Sequence, residues 1–107
     1  MQSIDDKLIQ FVTDTIVRHF NPRRIILFGS HARGDARPES DLDLIVEMES
    51  DKDFYTRTAN VLGVFGLRPW SMDLLVLTPD EMNASREMLG SVVRWADREG
   101  KVLYERA

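Results

Sequence analysis

The sequence predicts an α/β (α+β) chain in which a small β-sheet is covered by packed helices. Three observations lead there. Short apolar segments at 24–28, 41–48 and 71–77 have the length and alternation of strands. Longer segments at 4–20, 51–67 and 79–99 carry apolar residues at helical spacing. The first strand, Arg24 to Phe28, is apolar on both faces, with Ile26 and Phe28 on one and Ile25 and Leu27 on the other. Such a strand belongs in the middle of a sheet covered on two sides. With 107 residues, no repeat and no low-complexity linker, the chain is expected to form one domain over 1–107.

The elements follow in order. Leu8, Phe11, Val12, Ile16 and Phe20 make the stripe of the first helix, with Ser3, Asp5 and Asp6 at its start. Asn21-Pro22 stops it. His19, near its end, has no second His or Cys at metal spacing and reads as a surface residue. After the first strand, residues 30–40 read as a polar loop holding His31, Arg33 and Arg37. The second strand carries Asp41 and Asp43 on one side and Leu42, Leu44 and Val46 on the other. A helix over 51–67 is expected to open at Ser50 or Asp51, with Gly63 and Gly66 blurring its end. Arg68-Pro69-Trp70 turns into the third strand, and Trp70 reads as packing rather than as a stacking platform. That strand places Met72, Leu74 and Val76 on one side and Asp73, Leu75 and Leu77 on the other. Thr78-Pro79-Asp80-Glu81 has the cap, the proline and the glutamate of a helix start. The helical span 79–99 can break at Gly90-Ser91, with Met82, Met88, Leu89, Val92, Val93 and Trp95 as its apolar side. Gly100 ends it, and Lys101 to Tyr104 forms a short edge strand.

Composition removes several function classes. Fourteen basic against 18 acidic residues give a net charge of −4, without the basic face of a general nucleic-acid binder. No cysteine is present, so disulfides and thiolate metal sites are excluded. The longest apolar run, Val61 to Leu67, is too short to span a bilayer, and the first residues lack a signal-peptide layout. The expected setting is cytoplasmic and away from membranes.

The chemistry concentrates between Ile25 and Met48. Asp41 and Asp43, with Cα atoms roughly 6.6 Å apart at the strand rise, project together. Two carboxylates on one face need a cation or a proton between them. Hard oxygen ligands suit Mg²⁺ or Mn²⁺. Gly29-Ser30 offers close backbone approach, N–H groups and a hydroxyl, which are the parts of a phosphate cradle. No Gly-Lys-Ser/Thr follows that turn, and no nucleophile elbow is present, so Walker-type and Ser-His-Asp chemistry are disfavoured.

GSHARG at 29–34, followed by SDLDL at 40–44, resembles the Gly-Ser…Asp-x-Asp signature of the polymerase-β-like nucleotidyltransferases. The chain is most similar to their minimal form, the MNT domains of toxin–antitoxin pairs. The resemblance implies a single-domain nucleotidyltransferase fold with a small mixed β-sheet. It also implies a third carboxylate on a later strand, which SMDLLVL at 71–77 supplies as Asp73. By that resemblance Asp41 and Asp43 would hold two Mg²⁺ ions (Mn²⁺ as a substitute), and Asp73 would complete the ion beside the nucleophile. Gly29 and Ser30 would hold the β- and γ-phosphates of a nucleoside triphosphate, with ATP the expected one, and Arg33 would support them. Larger relatives add a substrate domain; here the acceptor is expected on a partner, by resemblance a helical HEPN-type toxin. Ile45, Leu75 and Leu77 lie on the Asp face and need a cover, either from the last helix or from that partner. Two readings follow: an enzyme that transfers a nucleotide to its partner, or a non-catalytic module that neutralises the partner by occlusion. A homo-oligomer is left open.

Overall fold

The structure is a computed structural model and describes residues 4–107. Its elements are α1 (Asp6–Phe20), β1 (Arg24–Phe28), α2 (Ser30–Arg33), β2 (Leu42–Glu47), α3 (Phe54–Gly63), β3 (Met72–Leu77), α4 (Pro79–Arg86), α5 (Val92–Glu99) and β4 (Lys101–Glu105). The four strands form one mixed sheet in the order β3-β2-β1-β4. β1 pairs antiparallel with both β2 and β4, whereas β2 and β3 run parallel. The central place of β1 follows from its two apolar faces.

Each face has its own core. On one side Ile25, Leu27, Leu42, Leu44, Val46, Leu74 and Val76 pack beneath α1 and α3 through Leu8, Val12, Ile16 and Val61. On the other, Ile26 and Ile45 meet Met82 of α4 and Val93 and Ala96 of α5, with Leu75 and Leu77 alongside. The cover for Ile45, Leu75 and Leu77 is therefore supplied by the chain itself.

Local chemistry sets the boundaries. Asp5 caps α1 by accepting from the Leu8 N–H at 2.9 Å; Ser3, the other expected starter, lies outside the described residues. α3 opens later than expected because Asp53, not Ser50 or Asp51, accepts from the Thr56 N–H at 2.8 Å. It closes at Gly63, and Gly66 takes a positive φ in the turn that follows. The 79–99 span divides into α4 and α5, with Ser91 capping the second through the Arg94 N–H. Trp70 is buried, edge-on to Phe65 at 6.1 Å between ring centroids, so it is a packing residue. Two expectations are corrected. Residues 30–33 form a short helix rather than loop, and of the expected apolar side of 79–99 only Met82 and Val93 are buried. Met88, Leu89, Val92 and Trp95 remain exposed, because Met88 and Leu89 fall in the α4–α5 turn and Val92 and Trp95 lie on a face of α5 beside the buried Val93 and Ala96.

Arg57 ties α3, β3 and α4 together. Its guanidinium is buried and donates to the carbonyls of Val76 at 3.2 Å and Lys52 at 2.8 Å, and to Glu81 Oε1 at 2.6 Å. Glu81 Oε1 also accepts from the Thr78 N–H at 2.9 Å while Thr78 Oγ1 accepts from the Glu81 N–H, a complete capping box. The Thr78 backbone bond, with Arg57 behind it, holds the Glu81 carboxyl below its ordinary value. Stability drawn from Glu81 is thus present above the unfolded-state value and lost as pH falls through the lowered one. Arg57→Met should destabilise by about 2–3 kcal/mol in urea titrations, since buried acceptors lose their donor. Arg57→Lys should recover only part of it, because one ammonium cannot serve three acceptors spread around a fork.

Candidate active site

The registers of three neighbouring strands assemble one end of the sheet. In the β1–β2 pair, Phe28 stands opposite Asp43, so Gly29 emerges beside that carboxylate. In the β2–β3 pair, Asp43 stands beside Asp73. Adjacent strands are about 4.8 Å apart, and paired residues share a face, so the turn and both carboxylates crowd together. Asp73 is exposed and Asp43 half-buried. Asp41 lies one residue ahead of β2 rather than on it, and is exposed. The start of β2 is pinned next to it by the Leu42 N–H donating to the Ser71 carbonyl at 2.9 Å.

Glycine at 29 is a steric requirement. Its φ of 73° and ψ of −156° belong to a region that side chains avoid. A Cβ at this position would also overlap the Asp43 carboxylate. The Gly29 carbonyl then accepts from the N–H groups of Ala32 and Arg33, each at 3.1 Å, and starts α2. Gly29 has no side chain with which to cap that helix, so the first N–H groups of α2 are left for another acceptor. Ala32 is buried in the core and anchors α2, while Arg33 stays at the rim with a loose contact to Asp35 at 3.4 Å. His31 reaches the Ser40 carbonyl at 3.4 Å and links α2 to the loop leading into Asp41.

Burial, then the charges of Asp73 and Asp41, raise the Asp43 pKa, while His31 and Arg33 pull it the other way. The cluster is electrostatically unfavourable as it stands, the state that an added cation relieves. Among the described residues no group of three or more His, Asp or Glu side chains is placed to hold a metal ion by itself. Mg²⁺ is commonly held by one or two carboxylates with substrate phosphates and waters completing its shell, and the Asp43 and Asp73 oxygens fit that demand. At the opposite end of the sheet, a recess lined by Arg23, Arg24, Arg86 and Arg106 looks suited to anions. Its arginines are already engaged: Arg24 with Glu47 at 3.0 Å, Arg86 with Asp97 at 2.7 Å, Arg106 with Glu49 at 3.0 Å, and Arg23 more loosely with Glu47 at 4.0 Å.

Comparison with known proteins follows this geometry. Residues 12–81 match the model of the family described as "Nucleotidyltransferase domain", a span that includes Gly29, Asp43 and Asp73. The chain belongs to the nucleotidyltransferase domain family. A Methanocaldococcus jannaschii protein named "Putative protein adenylyltransferase" is 32% identical over 82 residues, covering 77% of this chain and 78% of its own. A crystal structure of a "putative nucleotidyltransferase" from Sulfolobus solfataricus superimposes with a TM-score of 0.65 at 21% identity, over 94% of this chain and 79% of that one. A "toxin-antitoxin with AMP-PNP" crystal structure superimposes with a TM-score of 0.54 at 20% identity, over 91% and 73% of the two chains. The last two establish the shared fold. Of the residues singled out by sequence, the structure brings Gly29, Ser30, Asp43 and Asp73 together, with Arg33 at the rim and Asp41 off the strand. Sequence reasoning gave no role to His31, whose contact with Ser40 joins residues nine apart through a loop and leaves no periodic signal.

Two outcomes test this nucleotidyltransferase site in the metal-free protein. Asp43→Asn should raise the melting temperature at neutral pH, because an acid with a raised folded-state pKa costs stability once ionised. The gain should shrink as pH falls through that raised value, where the wild-type carboxyl is already protonated. Gly29→Ala should destabilise by about 1–3 kcal/mol from backbone strain alone, with overlap against Asp43 added. Thermal melts in chelator at several pH values check both.

Proposed function

We propose that this nucleotidyltransferase transfers AMP from ATP to a hydroxyl group on a partner protein, and that it is the antitoxin member of a HEPN/MNT pair. The observation that carries the reading is the in-register pair Asp43–Asp73 beside the Gly29 turn, acidic groups next to a backbone cradle. The adenylyltransferase name of the M. jannaschii relative and the toxin–antitoxin neighbour support the choice of nucleotide and partner. Among the described residues no helix is long and apolar enough to cross a membrane, and the lack of cysteine suits a reducing cytoplasm. The 1–107 span acts as a single domain in this reading.

Gly29 and Ser30 hold the β- and γ-phosphates through N–H groups and one hydroxyl, with Arg33 adding charge. Asp41, Asp43 and Asp73 would hold two Mg²⁺ ions, which supply charge neutralisation at the attacking and leaving oxygens. The partner's hydroxyl oxygen bonds to the α-phosphorus as the bond to the pyrophosphate oxygen breaks. Its proton passes to Asp73, the exposed carboxylate on the outer side of the pair. The products are an AMP ester of the partner and pyrophosphate.

The test incubates the chain with its toxin partner and each of four labelled triphosphates in Mg²⁺, then weighs the partner. Wild type should add the mass of one AMP, on a tyrosine. Asp73→Asn should still bind ATP and the partner while transfer falls by several orders of magnitude. Equal neutralisation by both forms with no added mass would replace the enzyme with a module that acts by occlusion.

A further inference from the structure

α5 has more apolar surface than its packing uses. Val93 and Ala96 are buried against Ile26 and Ile45, yet Val92 is 43% and Trp95 54% exposed. Val92, Trp95 and Glu99 stand at i, i+3 and i+7 and so share one face of the helix. That face does not look into empty solvent. Together with Phe28, Gly29 and Arg33 it lines a cleft of about 260 Å³. The cleft is therefore continuous with the phosphate turn: Gly29 and Arg33 border it on one side, an indole and a valine on the other, and a carboxylate closes its rim.

We propose that this cleft is the nucleobase subsite, with the base of the bound triphosphate stacked on Trp95. The proposal rests on the nucleotidyltransfer reading above. Three features favour a base over other occupants. An exposed indole beside an arginine suits a flat heterocycle, because every base has a π-face and guanidinium groups stack on rings. Glu99 adds an acceptor for the N–H groups that bases carry along their edges. The third feature is position. In-line transfer requires the acceptor to approach opposite the departing pyrophosphate, which the Gly29–Ser30 end holds. Asp73 marks the acceptor side, and the cleft lies two strands from it, at the end of β1 where Gly29 turns. An acceptor side chain in this cleft would stand on the wrong side of the phosphorus. A base reaches it by turning back along the triphosphate through the flexible 5′ linkage. Trp70, the second tryptophan, is buried against Phe65 and offers no face.

The test compares Mg·ATP with Mg·tripolyphosphate, which has the phosphates and no base, by calorimetry and tryptophan fluorescence. Wild type should bind both, and ATP alone should quench the indole emission. Trp95→Ala should lose about ten- to hundredfold in ATP affinity while tripolyphosphate affinity stays within twofold. Trp95→Phe should keep most of the ATP affinity but lose the quenching, which separates the stacking ring from a folding defect. Asp43→Asn should weaken both ligands. If Trp95→Ala binds ATP as wild type does while Asp43→Asn loses both ligands, the base subsite is wrong and the phosphate site stands. If ATP affinity is untouched but partner binding falls, the α5 face is a protein-docking surface and the proposal is overturned. If wild type binds neither ligand, the base subsite and the nucleotidyltransfer reading fall together.

Discussion

The close approach of Gly29 to the Asp43 carboxylate is the constraint on which the rest of the site depends. The antiparallel register puts Asp43 against the end of β1, and only a residue without a side chain can turn there. Because the chain turns at once, α2 begins at Ser30 and its first N–H groups lie beside the acidic pair. A single missing methyl thus brings opposite electrostatic demands, a donor-rich turn and crowded carboxylates, to one end of the sheet. Burial first, and then the neighbouring charges of Asp73 and Asp41, raise the Asp43 pKa there.

The scaffold around this contact is rigid because β1 and β2 are covered on both faces. α1 and α3 close one face, and the α4–α5 pair closes the other. Arg57 and the Thr78–Glu81 capping box lock the end of the sheet away from Gly29 and the acidic pair. The arginines of the far recess are held in ion pairs, whereas the Asp43 and Asp73 carboxylates of the near end face one another.

Much of this was legible in the residues. Period-two and period-3.6 patterns located every strand and the longer helices, and the two-sided apolarity of Ile25 to Phe28 placed β1 inside the sheet. The spacing of Asp41 and Asp43 pointed to a shared face, and the resemblance to the polymerase-β-like nucleotidyltransferases added Asp73 from a later strand. What periodicity could not supply was the partner across a sheet. Asp41 reads as a strand residue, yet β2 starts after it, since the bond from Leu42 to Ser71 defines the first pairing. Ser30 to Arg33 gave no sign of α2, because a helix of one turn has no stripe to show. Sequence alone put Trp95 on the apolar side of its helix with Val93, and only packing separates its exposed ring from the buried one of Trp70.

The mixed topology also bears on the order in which the site is made. β1 and β2 are joined by residues 29–41, a connection shorter than the one from β2 to β3, so closing it to bring Gly29 and Asp43 into contact costs less loop entropy. β3 must return parallel to β2 through the whole of α3, a slower, non-local event that alone delivers Asp73. β4 then pairs with β1 from the other end of the chain, where Arg106 reaches the Asn21 carbonyl at 3.0 Å. The contact between Gly29 and Asp43 thus belongs to the part of the sheet whose strands are nearer in sequence, whereas Asp73 joins them only once β3 has docked.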